Sequence, residues 1–122
     1  MTSQETSRIP RVVVDDLRDH PDGAMYFRTS ASAITWLQDN PTVVIDELWL
    51  DHDLGGLDDT IRPVVLYLEE LCFNGTPIEI GCIYVHTANP TGAAWIQSSN
   101  LLKANYKMLR NLMPRYSVAD LL

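Results

Sequence analysis

Basic charge is scarce in this chain of 122 residues: nine Lys and Arg stand against sixteen Asp and Glu, a formal net charge of −7. Proteins that grip nucleic acid through its phosphates present basic surfaces, so this balance argues against an extended nucleic-acid interface. Cysteine is scarce too. Cys72 and Cys82 have neither CxxC spacing nor enough His and Cys neighbours for a zinc site, and they read as two thiols serving as small hydrophobes. No apolar run approaches the length of a membrane span. Met1–Arg8 lacks the apolar stretch of a secretory signal, and a cytoplasmic location is expected. Repeats and low-complexity tracts are absent. What is present is a hydrophobic fraction of 46%, the ordinary globular value, and a length that suits one domain with its own core. The expected organisation is a disordered or extended tail over 1–8, one domain over 9–113 and a C-terminal tail over 114–122.

The order of elements points to an α/β fold. Val12-Val13-Val14 stops abruptly at Asp15-Asp16, the pattern of a strand buried on both faces, expected over Arg11–Val14. Beyond the turn-rich stretch Leu17–Gly23, a second strand is expected over Ala24–Phe27, ending at Arg28-Thr29. Ser30 reads as the N-cap of a short helix that carries Ile34 and Leu37 inward and ends at Asn40-Pro41. Glu47–Leu50 reads as the third strand, with Val43–Ile45 either part of it or its approach. Asp59 or Thr60 would cap a helix with Pro63 in its first turn, on which Ile61, Val65, Leu68 and Cys72 share a face. Asn74-Gly75 stops it. Ile78–Val85 is the fourth strand. Trp95, Leu102, Tyr106, Leu109 and Met113 then recur at helical spacing in a last helical stretch that Ser98-Ser99-Asn100 breaks or kinks.

Strands alternating with helices mean a mostly parallel sheet, here of four strands. The gap between the first two strands is short for a crossover, which usually needs about a dozen residues. The first crossover helix is therefore expected to be shortened or absent, and a fifth strand missing or vestigial.

Ligands of an open α/β sheet bind beyond the carboxyl ends of its strands. Following the four strands are Asp15, Asp16 and Arg18; Arg28 and Thr29; Asp51, His52 and Asp53; and His86, Thr87 and Asn89. Singly, each has an ordinary reading. Asp15-Asp16 can cap a turn, Arg28 can neutralise carboxylates, His86 can be a satisfied, partly buried histidine, and Asp51-His52-Asp53 can be a plain loop ahead of Gly55-Gly56. His20 reads as solvated surface, and Asp58 and Asp59 as helix-capping residues.

Collected on one edge, these carboxylates repel one another unless a cation sits among them, and oxygen-rich sites suit Mg²⁺, Mn²⁺ or Ca²⁺ rather than zinc. A divalent ion polarises a phosphoryl oxygen and lowers the pKa of bound water. Imidazoles titrate near neutral pH and can carry protons, while guanidinium groups clamp phosphate. The expected metal ligands, for Mg²⁺ or Mn²⁺, are Asp15, Asp16 and Asp51. His52, His86 and Asp53 are the catalytic candidates, and Arg18, Arg28, Thr87 and Asn89 would orient the substrate.

Asp15-Asp16 after the first strand, Asp51 after the third and Thr87 after the fourth resemble the receiver domains of response regulators. That resemblance implies an acidic pair and a central aspartate on Mg²⁺, with Asp51 as phosphoryl acceptor. A closer match lies in Val12-Val13-Val14-Asp15-Asp16-Leu17-Arg18, in Arg28-Thr29, in Leu48-Trp49-Leu50-Asp51-His52-Asp53-Leu54-Gly55-Gly56 and in Val85-His86-Thr87-Ala88-Asn89-Pro90. These segments resemble the cyclic-phosphate processing receiver-like family, with Asp51-His52-Asp53, His86 and Asn89 the specific part. The resemblance implies a small flavodoxin- or receiver-like three-layer sandwich and a role in processing cyclic phosphate ends of RNA or cyclic nucleotides, often in repair.

The resulting expectation is a metal-dependent phosphoesterase acting on a cyclic or terminal phosphate of RNA or a nucleotide. Its partner would be a small phosphorylated ligand or an RNA end, with no membrane contact, and a homodimer is left open. Two alternatives stand beside it: a non-catalytic module that binds a cyclic nucleotide or a partner protein, and an atypical signalling receiver phosphorylated on Asp51.

Overall fold

The computed structural model describes residues 7–15, 24–54, 59–87 and 89–110. In chain order these form β1 (Arg8–Val14), β2 (Met25–Phe27), α1 (Ser30–Asp39), β3 (Val44–Leu50), α2 (Arg62–Phe73), β4 (Glu79–Val85), α3 (Pro90–Gln97), α4 (Asn100–Asn105) and β5 (Met108–Arg110). The strands make one open sheet in the order β2-β1-β3-β4-β5, and every neighbouring pair is parallel. The fold is α/β and receiver-like. Among the described residues no helix is long and apolar enough to cross a membrane. Residues 1–6, residues 16–23 with Asp16, Arg18 and His20, residues 55–58 with Gly55, Gly56 and Asp58, Ala88, and everything after Arg110 lie outside the described residues.

The valine run does what its composition requires. Val12, Val13 and Val14 are each 2% exposed or less: β1 has a paired strand on either side, and Val12 and Val14 face the core. Val12, Val14, Leu48, Leu50, Ile83 and Val85 send one row of side chains into a core shared with Leu37 of α1, Val65 and Leu68 of α2, Ile96 of α3 and Leu102 of α4. Nearer the amino ends, the buried pair Ile45 and Ile80 lies three residues before Leu48 and Ile83, not two. The strands are thus irregular between those rows. There Gly81 passes so close to β3 that a Cβ on it would stand 2.6 Å from the Asp46 carbonyl oxygen.

The last helical stretch divides where the Ser-Ser-Asn segment falls. Ser99 caps α4 by accepting a hydrogen bond from the Leu102 N–H, and α4 ends before Tyr106. Residues 108–110, expected inside that helix, instead form a fifth strand of three residues. The carbonyl of Lys107 accepts the Ile83 N–H at 2.8 Å, and Ile83, Tyr84 and Val85 pair with Met108, Leu109 and Arg110. Helical spacing cannot distinguish a helix from a short strand that satisfies an otherwise open sheet edge.

Two caps also move. Thr29, not Ser30, caps α1, accepting from the Ser32 N–H at 3.1 Å. α2 begins after Ile61 with no side-chain cap, and Asp59 serves α1 instead: it accepts the Ser30 N–H at 3.2 Å and the Ser30 hydroxyl at 2.6 Å. Asp59, ahead of α2, is thereby tied to the first turn of α1.

Candidate active site

The sheet ladder runs one residue past each inner strand. Asp15 donates its N–H to the Phe27 carbonyl at 3.1 Å, Asp51 to Val14 at 3.0 Å and His86 to Leu50 at 2.8 Å. Val14, Leu50 and Val85 are register partners, so the residues that follow them stand side by side, about one strand spacing of 4.8 Å apart. β1 and β3 flank the place where this strand order reverses, the switch point at which open sheets bind ligands. Asp15 and Asp51 sit on its two sides. By strand alternation, Asp15, Asp51 and His86 belong to the face of Trp49 and Tyr84, opposite the helix-lined core. The His86 ring meets Trp49 edge-on at 5.3 Å, and Trp49 stacks on Tyr84 at 4.4 Å.

Asp15 and His86 are buried, at 1% and 6% exposure, and Asp51 is half-buried. Two carboxylates at neighbouring strand ends supply hard oxygen donors. Such a pair fits Mg²⁺ or Mn²⁺: Mg²⁺ in particular is commonly held by one or two carboxylates and keeps several of its waters. Among the described residues no group of three or more His, Cys, Asp or Glu side chains gathers as a metal cage. Asp16, the third expected ligand, lies outside the described residues.

A second cluster forms beside this row. The His52 Nδ1 lies 2.9 Å from Asp53 Oδ1, and a carboxylate only accepts, so Nδ1 is the donor. Asn89 donates its Nδ2 to the other Asp53 oxygen at 3.1 Å, while its Oδ1 caps α3 by accepting the Gly92 N–H at 2.9 Å. The His52 bond, and after it the Asn89 bond, holds the Asp53 carboxyl below its ordinary pKa. The ring of His52 is packed against Gly92, where an added Cβ would meet the imidazole itself, and it stands edge-on to Trp95. Its Nε2 is buried with no hydrogen-bond partner among the described residues. The two histidines expected to act together therefore occupy different surroundings, His86 against Trp49 and His52 under the first turn of α3.

Two arginines close the ends of the row. Arg28, after edge strand β2, donates to the Asp15 carbonyl at 2.9 Å and lies over the Tyr26 ring. Arg110, which ends edge strand β5, donates to the Thr87 carbonyl at 2.8 Å. Thr87 is 1% exposed, and its hydroxyl accepts the Asn89 N–H at 3.1 Å. Sequence reasoning did not single out Arg110, because its segment shares the spacing of the preceding helix. Trp95 has only helical spacing to mark it in the sequence; the fold brings it and Gly92 to His52. Of the expected substrate-binding residues, Arg28, Thr87 and Asn89 follow strands on this edge, and Arg18 lies outside the described residues.

A groove of about 360 Å³ opens at the other end of the sheet, lined by Ile9, Pro10, Arg11, Ala24, Met25, Asp46 and Glu47. Its charges are engaged with one another and with Arg8, Arg11 with Glu47 at 2.9 Å and Arg8 with Asp46 at 2.9 Å. None of the expected site residues lines it. No curated protein and no solved structure matches the chain. The family model of the cyclic-phosphate processing receiver domain matches residues 10–101, a span that contains the strand-end residues from Asp15 to Asn89. With most of its length inside that match, a parallel sheet in the order 2-1-3-4-5 and acids on both sides of the switch point, the chain belongs to the cyclic-phosphate processing receiver domain family.

Proposed function

We propose that the protein is a metal-dependent phosphoesterase acting on a cyclic or terminal phosphate of RNA or a nucleotide. The observation that carries this reading is the row Asp15, Asp51 and His86 on three adjacent strand ends at the switch point. Asp15 and Asp51, with Asp16, would hold Mg²⁺ or Mn²⁺. When bound, such an ion supplies Lewis-acid polarisation of a phosphoryl oxygen and a more acidic water.

The protein's own side chains divide the remaining work. His86 takes up or delivers the proton at the reacting oxygen, since a neutral imidazole offers both an acceptor and a donor nitrogen. The Thr87 hydroxyl and the Arg28 and Arg18 guanidinium groups orient the phosphate. Asn89 and Asp53 fix His52 through Nδ1. That triad sets the first turn of α3 against the site, a positioning role that its packing on Gly92 supports.

The test is incubation of the protein with a nucleoside 2′,3′-cyclic phosphate, with product separated by chromatography. The expected result is turnover that EDTA removes, that Mg²⁺ or Mn²⁺ restores, and that Asp51→Asn lacks. Turnover indifferent to EDTA would remove the metal from the mechanism. Tight calorimetric binding with no product at high protein concentration would make the domain a binding module.

A further inference from the structure

We propose that the sheet face carrying Trp49 and Tyr84 holds a nucleobase, stacked on Tyr84 beside Leu109. The ligand is then a nucleotide or an RNA end and not a phosphate ester that lacks a base. This inference rests on the reading of the carboxyl edge as a phosphate site and names the group held next to that phosphate.

The chain path puts every described helix on the other face. The steps from β2 to β3, β3 to β4 and β4 to β5 all cross the sheet in the same direction. Crossovers between parallel strands are right-handed, so α1 to α4 fall on one side. The core agrees: it takes Leu48, Leu50, Ile83 and Val85, and strand alternation turns Trp49 and Tyr84 the opposite way. On that opposite face, register aligns Tyr26, Val13, Trp49, Tyr84 and Leu109 in one row across all five strands. Two residues further along the same face come Arg28, Asp15, Asp51 and His86. The apolar row therefore lies directly below the candidate phosphate site, about 6.6 Å away for two residues of strand rise. A single sugar bridges such a gap between a phosphate and its base.

Among the aromatic side chains of the described residues, Tyr84 is the one placed for stacking. Arg28 lies over the Tyr26 ring and Arg62 over the Trp95 ring. Phe27, Trp36 and Tyr67 pack against the core, and Tyr106 is buried within it. Phe73 ends α2, where the crossover has returned the chain to the amino ends of the strands. Trp49 has Arg11 over its ring, His86 at its edge and Tyr84 stacked on it. Tyr84 meets Trp49 at 4.4 Å with 17° between the planes, so one of its faces is covered from the β3 side. The other face looks toward β5, where its register partner Leu109 is 41% exposed. A flat ring and an exposed apolar side chain thus flank a slot immediately below His86, the proposed proton carrier.

Stacking also suits the charge of the protein. A net charge of −7 opposes the approach of a phosphate, whereas a base is neutral and gains aromatic contact without meeting that field. Every base has a flat π-face, so a slot of this kind accepts purines and pyrimidines alike.

The test is calorimetric titration of the full chain in Mg²⁺ with adenosine 3′-monophosphate, cytidine 3′-monophosphate and glycerol 2-phosphate, which lacks a base. The titrations are repeated for Tyr84→Phe and Tyr84→Leu; Leu keeps apolar bulk against Trp49 while removing the flat ring. The expected result is wild-type affinity for both nucleotides roughly tenfold or more above that for glycerol 2-phosphate. Tyr84→Phe keeps this gap, and Tyr84→Leu closes most of it while its affinity for glycerol 2-phosphate stays at the wild-type value. Equal wild-type affinity for all three ligands, or a gap that Tyr84→Leu retains, overturns the base site and leaves the phosphate-site reading standing. So does a loss in Tyr84→Leu that falls equally on the ligand without a base. A wild-type chain that binds none of the three overturns both.

Discussion

The two ends of the sheet carry charge in opposite ways. At the amino end, opposite charges on adjacent strands meet directly: Arg8 with Asp46 and Arg11 with Glu47, in side chains that are between 26% and 71% exposed. At the carboxyl end, Asp15 is buried beside half-buried Asp51, and the arginines of both edge strands donate to main-chain carbonyls. An ion pair on the surface cancels its own field and contributes little. At the carboxyl end the two neighbouring acids share one edge with guanidinium groups anchored by main-chain carbonyls, so the ends differ in how charge is held.

The largest expected effect falls at the carboxyl end. Asp51→Asn abolishes metal-dependent turnover while thermal unfolding moves little, because a strand-end carboxylate beside another is not a packing element. Extensive unfolding would show that Asp51 is structural and would erase the contrast between the ends. His86→Ala slows the chemical step by roughly 10²–10⁴-fold and leaves Mg²⁺ binding nearly intact, the usual size of an acid–base contribution. An unchanged rate in single-turnover kinetics would exclude His86 as the proton carrier.

The next effect is one of packing. Gly92→Ala places a Cβ 2.7 Å from His52 Cβ and 2.8 Å from His52 Cδ2, and it is expected to cost about 1–3 kcal/mol in chemical denaturation. Combining it with His52→Ala should recover part of that loss, since the ring contacts go while the contact with His52 Cβ stays; simple additivity would contradict the packing.

Smaller still is a dependence on pH. Asp53 is held below its ordinary pKa, chiefly by the His52 hydrogen bond, so its contribution to stability is complete above that value and fades as pH falls through the lowered one. The wild type should therefore exceed Asp53→Asn in stability by less than about 1 kcal/mol at neutral pH, because the carboxylate is largely exposed. Denaturation curves should show that gap closing below about pH 4; a gap that widened in acid would reverse the sign. Least of all, Arg8→Ala at the amino end should cost between nothing and about 1 kcal/mol, less at high salt, and leave turnover unchanged.

Much of this edge is legible in the sequence. Asp15, Asp51 and His86 could be placed together because each ends a strand whose apolar run is unambiguous, and parallel strands deliver their ends to one edge. Arg110 was not legible. Leu102, Tyr106 and Leu109 keep helical phase across the end of α4, and nothing local marks residues 108–110 as a strand until β4 offers an edge to pair with. Asp59 was rightly read as a cap but for the wrong helix, since a carboxylate that reaches across the fold to Ser30 has no signal in sequence spacing. What packs on each histidine ring, the first turn of α3 on His52 and Trp49 on His86, likewise depends on the tertiary fold alone.

The most direct measurement is paramagnetic broadening of backbone amide signals as Mn²⁺ is added to the isotopically labelled protein. The expected result is early, selective loss of the Asp15, Asp51 and His86 amides, competed away by Mg²⁺, while Asp46 and Glu47 at the opposite end persist. Broadening that began at Asp46 and Glu47, or that spread evenly over the acidic surface, would contradict a metal site at the carboxyl edge.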